Sequence, residues 1–165
     1  LTIGKSKYAD VQPDMESMLA EAGKLEAQLR EAVVKDAESF DGILVARRLP
    51  KGSEQEKAAR DEAIHKATLY AAQVPLENAH ACRAVMSLAL KAAEKGNINT
   101  ISDAAGAHLA KAGLDAALLN VRLNLSGMTN DLMAFKYLTE AEILKEEGNF
   151  LEGKIEPLLK SRAGL

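Results

Sequence analysis

The stretch PDMESMLAEAGKLEAQLREAVVKDAESFDGILVARR, residues 13–48, decides the fold. Pro13 stands where a first helical turn accepts proline, Asp10 is a candidate cap, and Asp14 and Glu16 are placed well for the helix dipole. Nothing after Pro13 breaks helical periodicity. Met15, Met18, Leu19, Ala22, Leu25, Leu29, Val33, Phe40 and Leu44 recur as one apolar stripe. At 1.5 Å per residue the stretch predicts roughly 50 Å of helix. A helix this long needs a long partner, so the expected fold is all-α: an elongated bundle of about four to five long helices, homodimeric.

The elements on either side read the same way. Leu49-Pro50-Lys51-Gly52 ends the first helix, because proline restricts the residue before it and glycine tolerates a turn. Ser53-Glu54-Gln55-Glu56 is a capping box. A second helix follows, which Val74-Pro75 should kink or break, and it stops at Gly96. Asn97-Ile-Asn-Thr-Ile-Ser-Asp103 is a polar connection in which Thr100 or Ser102 can cap the next helix. That third helix, rich in Ala and Gly from Ala104 to Ala117, is expected to be central, since small residues let backbones approach. It ends near Ser126-Gly127. Thr129 opens a last stretch loosened by Gly148, Gly153 and Pro157. No repeat, second-domain linker or strand pattern appears.

Composition narrows the function classes. The chain has 165 residues, 47% of them hydrophobic, with 21 basic against 24 acidic side chains and a net charge of −3. Ala and Leu supply roughly 30% of it, which favours helices. The charge balance gives no global reason for nucleic-acid binding, and no apolar run approaches the roughly 20 residues of a membrane span. The single Cys82 excludes a disulfide scaffold and suits a reducing, cytoplasmic setting. Phosphate loops, zinc spacings and nucleophile elbows are absent. His80 and Cys82 point to different helix faces, His65 and His108 stand alone, and no metal site is expected.

A few polar residues stand out. Asp36 follows Val33 by three and precedes Phe40 by four, so it falls on the apolar face of the first helix. A carboxylate there is either in a structural pair or aimed into a cleft with a tuned pKa. Asp103 is either a first-turn acid serving the dipole or part of a site with Asn97, Asn99 and Ser102, whose amides and hydroxyl suit the hydrogen-bonding edge of a heterocycle. Asn120 and Asn124, four apart, suggest a buried network or a ligand wall. Lys5, Lys7, Arg47, Arg48 and Lys51 lie near the two ends of the first helix, as a solvated fringe or a docking site for an anionic tail.

Five segments together carry a resemblance: Leu1-Thr-Ile-Gly-Lys-Ser-Lys-Tyr8; Asp36-Ala-Glu-Ser-Phe-Asp41 with Leu49-Pro50-Lys51; Val74-Pro75-Leu76; Glu94-Lys-Gly-Asn97-Ile-Asn99-Thr-Ile-Ser102-Asp103; and Leu119-Asn120-Val121-Arg-Leu-Asn124. In that order the chain resembles the formiminotetrahydrofolate cyclodeaminase / methenyltetrahydrofolate cyclohydrolase family. The likeness covers nearly the whole chain, more weakly after about Gly127. It implies a homodimer acting on one-carbon-substituted tetrahydrofolate, with no cofactor beyond that substrate. The opening segment looks closest to the stand-alone cyclohydrolases, which convert methenyltetrahydrofolate and water to 10-formyltetrahydrofolate. Cyclodeaminase members instead close 5-formiminotetrahydrofolate and release ammonia. A non-catalytic helical dimerisation module is the rival from another class.

The chemistry of the methenyl substrate, an electrophilic amidinium cation attacked by water, suggests Asp36 or Asp103 as the base and Lys7, or Tyr8 more weakly, as the acid or polarising group. Asn97, Asn99, Ser102, Asn120 and Asn124 would hold the pterin, Phe40 would stack on it, and Arg48 and Lys51 would meet the glutamate tail. Residues 1–165 are then expected to form a single cyclodeaminase/cyclohydrolase-like domain that lacks a family N-terminal helix and Thr-Pro-Gly-Gly-Gly loop. A second departure is Ser102-Asp103-Ala104-Ala105-Gly106, where the family more often places glycine directly after the first alanine.

Overall fold

A computed structural model describes residues 1–164, the side chains of Thr100, Asp103 and Ala163 excepted. Four long helices run up and down: α1 (Gln12–Arg47), α2 (Glu54–Lys95), α3 (Gly106–Leu125) and α4 (Leu132–Ala163). Short 3-10 turns at Ser6–Val11, Ile98–Thr100 and Asp103–Ala105 complete the order, and no strand occurs among the described residues. The all-helical expectation is borne out.

The local signals explain most of the boundaries. Pro13 sits in the first turn of α1, but Asp10 does not cap it. The preceding 3-10 turn runs straight into the helix, and the Gln12 N–H donates to the Ala9 carbonyl. Ser53 and Glu56 do form the capping box: Ser53 Oγ accepts from the Glu56 N–H at 3.2 Å, and Glu56 Oε2 accepts from the Ser53 N–H at 2.9 Å. These backbone donors hold the Glu56 carboxyl below its usual range. Gly96 ends α2 as expected. Neither Thr100 nor Ser102 caps α3. The 3-10 turns carry the chain to Gly106 through backbone bonds, Ala104 N–H to Ile101 O and Ala105 N–H to Ser102 O. Asp131, not Thr129, opens α4, its Oδ1 accepting from the Ala134 N–H at 2.7 Å.

Pro75 does not break α2, which runs unbroken for 42 residues. A proline inside a helix lacks the N–H that would bond the carbonyl four residues back, here that of Ala71. Asn124 of α3 supplies the missing donor: its Nδ2 lies 2.7 Å from Ala71 O, and its amide also donates to Asn120 Oδ1 at 3.2 Å. The buried-network reading of this asparagine pair therefore has a definite role, satisfying a carbonyl that a proline orphans.

The hub is α2, not α3: it packs along α1, α3 and α4. The core joins Ala72, Leu76, Ala79, Cys82 and Met86 of α2 to Leu114, Leu118, Val121 and Leu125 of α3 and to Ala134, Ala141 and Leu144 of α4. The glycine expected to loosen α4 instead tightens it. A Cβ at Gly148 would stand 2.3 Å from Leu114 Cδ2, so glycine lets α3 and α4 approach closely there, and a larger residue would have to displace the buried Leu114 side chain.

On α1 the buried residues are Met15, Ala32, Ser39, Ile43 and Ala46. The stripe read from sequence was too wide. Leu19, Val33 and Phe40 are exposed because α2 alone covers α1 and takes only one side of it. Ser39 is buried with its hydroxyl donating to the Asp36 carbonyl at 2.8 Å.

Replacing Asn124 by alanine is expected to lower stability by about 1–3 kcal/mol, since it strands a desolvated carbonyl. The loss should shrink in a Pro75→Ala background, where residue 75 regains its own N–H; urea unfolding of the two single variants and the double variant measures the coupling.

Candidate functional site

A groove of about 980 Å³ runs between α1 and α2. Met15, Met18, Ala22, Leu29 and Val33 form one wall, and Val85, Leu88, Ala89 and Ala92 the other. Leu1, Thr2 and Ile3 close one end together with Ala104 and Gly106. Its rim carries Glu26 and Arg30, which pair with each other at 2.8 Å. A long apolar cleft with few polar groups is what a flat, largely apolar ligand requires.

The closed end is built by hydrogen bonds between distant segments. Thr2 is buried, and its Oγ1 accepts from the Asn97 N–H at 2.9 Å. Asn97 Nδ2 donates to the Leu1 carbonyl at 3.1 Å, and Asn97 Oδ1 accepts from the Asn99 N–H at 3.0 Å. Gly4 turns the chain with φ +75°, and its N–H meets Gln12 Oε1 at 3.1 Å. Lys95 pairs with Asp14, which holds the Asp14 carboxyl below its usual range and raises the Lys95 ammonium. The Lys7 ammonium lies 5.6 Å from the centre of the Tyr8 ring. Arg162, from the end of α4, donates to the carbonyls of Ala93 and Gly96 and so closes the end of α2.

The structure divides the residues singled out from sequence. Asn97, Asn99 and Ser102 lie in the connection beside the closed end of the groove, and Lys7 and Tyr8 in the 3-10 turn just before α1, though none of the five lines the groove itself. The side chain of Asp103 lies outside the described residues. Asp36 and Phe40 are far along α1: Asp36 is 24 residues past Gln12, roughly 36 Å at 1.5 Å per residue. Asp36 is exposed, not held against an apolar wall, and takes part in no ion pair among the described residues. Phe40 is exposed as well. Arg48 and Lys51 lie at the other end of α1, exposed. Asn120 and Asn124 stand beside Ala71, with the Asn124 amide already engaged. One chain therefore presents two separated groups, not one convergent site.

Sequence reading missed several polar pairs because most of them join different helices. All three histidines meet a carboxylate of α4 or its cap: His65 with Asp131 at 2.6 Å, His80 with Glu140 at 2.7 Å and His108 with Glu156 at 3.4 Å. Arg83 pairs with Glu147, and Arg122 with Glu142. Lys111 is buried, its ammonium 2.6 Å from Asp115. Of these, only the four-residue spacing of Lys111 and Asp115 was visible in the sequence. Burial pushes the Cys82 thiol up. No group of three or more His, Cys, Asp or Glu able to hold a metal occurs among the described residues, and no described helix is long and apolar enough to cross a membrane.

Fold and groove define an all-helical protein with an apolar cleft between its first two helices. A family model described as formiminotransferase-cyclodeaminase matches residues 1–143, and the chain belongs to that family. A methenyltetrahydrofolate cyclohydrolase from Methylorubrum extorquens is 42% identical over 163 residues, spanning 98% of this chain and 78% of that protein. A formimidoyltransferase-cyclodeaminase from Rattus norvegicus is 28% identical over 137 residues, which are 82% of this chain and 25% of that much longer protein. The crystal structure of a formiminotetrahydrofolate cyclodeaminase from Thermotoga maritima matches with a TM-score of 0.80 at 24% identity, covering 97% of this chain and 76% of that one. That likeness shows the same fold.

The cap of α4 generates an acid-stability prediction. The Asp131 carboxyl is held below its usual range, first by the Ala134 N–H and then by His65. A depressed carboxyl stabilises above its unfolded pKa, and that stabilisation is lost as pH falls through the folded value. Asp131→Ala should therefore lower Tm by a few degrees at neutral pH, and the gap to the parent should close below about pH 4 in melts recorded from pH 2 to 7.

Proposed function

We propose that this chain hydrolyses 5,10-methenyltetrahydrofolate to 10-formyltetrahydrofolate, acting as a homodimer in the cytoplasm. The observation that carries this reading is the 42% identity to a methenyltetrahydrofolate cyclohydrolase across 98% of the chain. The groove of about 980 Å³ supports it with a cleft of the size and apolar character that small-ligand sites have. The free, buried Cys82 suits a reducing compartment.

The chemistry sets the requirements. The methenyl carbon belongs to a delocalised amidinium cation and is already electrophilic. Water adds to it and loses a proton; the bond from that carbon to N5 then breaks, N5 takes up a proton, and the formyl group stays on N10. A carboxylate is suited to accept the water's proton and to stabilise the cation. In this proposal Asp36 or Asp103 has that role, and Lys7, or Tyr8 in its place, polarises or protonates the departing nitrogen. Asn97, Asn99 and Ser102 bind the pterin at the closed end of the groove. Asn120 and Asn124 border the ligand, Phe40 stacks on it, and Arg48 and Lys51 meet the glutamate carboxylates, all of them from the group remote from the closed end and therefore only from a second copy. Asp36 and Lys7 lie too far apart on one chain to act on the same bond, so Asp36 would join the closed end only from a second copy. The reaction is a hydration without net electron transfer, and no cofactor is proposed.

The family match over residues 1–143 favours a second reading through the same cation: ring closure of 5-formiminotetrahydrofolate with release of ammonia, a lyase reaction. Decay of methenyltetrahydrofolate absorbance, with protein against buffer alone, tests the first reading, and ammonia release from the formimino compound tests the second. Asp36→Asn or Asp103→Asn should lower turnover by about 100-fold or more, whichever carboxylate is the base. Two folded variants that both keep full turnover remove these residues from the mechanism. No acceleration in either assay leaves the chain as a non-catalytic helical module.

A further inference from the structure

One face of α3 is left uncovered by the described residues. Leu109, Ala112, Ala116, Leu119 and Leu123 alternate at spacings of three and four, and all five are exposed. The leucines are 79%, 55% and 63% exposed. This is the seam pattern of a helix that packs along a second helix, and it faces away from the core that α3 shares with α2 and α4.

We infer that this seam is where two copies of the chain meet, α3 against α3, antiparallel about a two-fold axis midway between Ala116 and Leu119. The inference rests on the homodimer proposed above and names its surface. In that register Leu119 of one copy faces Ala116 of the other, and Leu123 faces Ala112. Leu119 and Leu123 therefore each fill the space left by an alanine, the complementarity that close helix packing requires. Ala112, Ala116, Leu119 and Leu123 pair among themselves under this two-fold rotation, as an isologous interface requires, and Leu109 lies at the edge opposite Ser126.

The charges at its edge favour a second copy over a membrane or an ionic partner. His108, Asp115 and Arg122 flank the stripe at seven-residue spacing, and each is already paired within its own chain, to Glu156, Lys111 and Glu142. The opposite flank carries Gly106, Gly113 and Asn120, without charge. Two copies therefore meet without bringing an unpaired charge together. From Leu109 to Leu123 the seam is about 21 Å long, some four helical turns, so a specific interface of roughly 1,000 Å² also draws on the residues that flank it.

Cysteine crosslinking of the whole chain reads the register. Ala116 lies next to the two-fold axis, so Ala116→Cys should form a disulfide-linked dimer with itself under mild oxidation. Leu109 and its own symmetry mate are about 25 Å apart along the helices, so Leu109→Cys should link at least ten-fold more slowly. Cys82 is buried, and the unsubstituted chain is the blank. Leu119→Glu should give a monomer by light scattering at micromolar concentration, with helix content by circular dichroism unchanged. A parent chain that is monomeric overturns both the seam and the homodimer. A parent dimer that survives Leu119→Glu, fails to link through Ala116→Cys, or links equally fast through Leu109→Cys overturns the seam alone. None of these readings depends on folate turnover, so a chain that links as expected but hydrolyses nothing loses the catalytic reading and keeps the seam.

Discussion

A carbonyl orphaned by a proline, and the amide that satisfies it, hold the centre of this molecule. Pro75 lies in the middle of the 42-residue helix on which the other three pack. Left alone, it would break the backbone ladder at Ala71 and tilt the two halves of that helix. Asn124 reaches from α3 to the Ala71 carbonyl, so the helix stays continuous and α3 is fixed in rotation against it at the same point. Val74, Pro75 and Leu76 are all buried around this joint, where an unsatisfied acceptor would be most costly.

Continuity of α2 places the groove. Its second half faces α1 through Val85, Leu88, Ala89 and Ala92, and its C-terminus meets the first residues of the chain through Asn97 and Thr2. A bend at Pro75 would swing that half away from α1. On the far side, α4 is held to α2 and α3 by a series of ion pairs, three of them through histidine. Each is partly exposed and individually weak. They set the rotation of α4 about the apolar seam and contribute less to its attachment than Ala134, Ala141, Leu144 and the close approach at Gly148 do.

The candidate site was legible in part. Asn97 and Asn99 stood out as a turn rich in hydrogen-bonding groups, and the structure does use them to build the closed end of the groove. Asp36 stood out because its spacing put it on an apolar face. Periodicity reports the face of a helix, however, not whether anything covers it. With α2 alone packed on α1, the side of that face carrying Val33 and Phe40 is open and Asp36 is in solvent. The histidine–carboxylate pairs were not legible at all, since their partners are 48 to 66 residues apart in the chain.

By itself the sequence determined what depends on neighbours a few residues away: an all-helical chain of four to five long helices, the capping box at Ser53, the stop at Gly96, and a composition unsuited to strands, disulfides or a membrane span. These rest on backbone hydrogen bonds and local propensity, which act within one or two turns. Tertiary structure alone decided whether Pro75 breaks a helix, whether Gly148 loosens one, and which half of each apolar stripe is buried. Each of those outcomes depends on an atom brought from another helix: an amide from Asn124, a methyl from Leu114, a wall from α2. No local spacing carries that information.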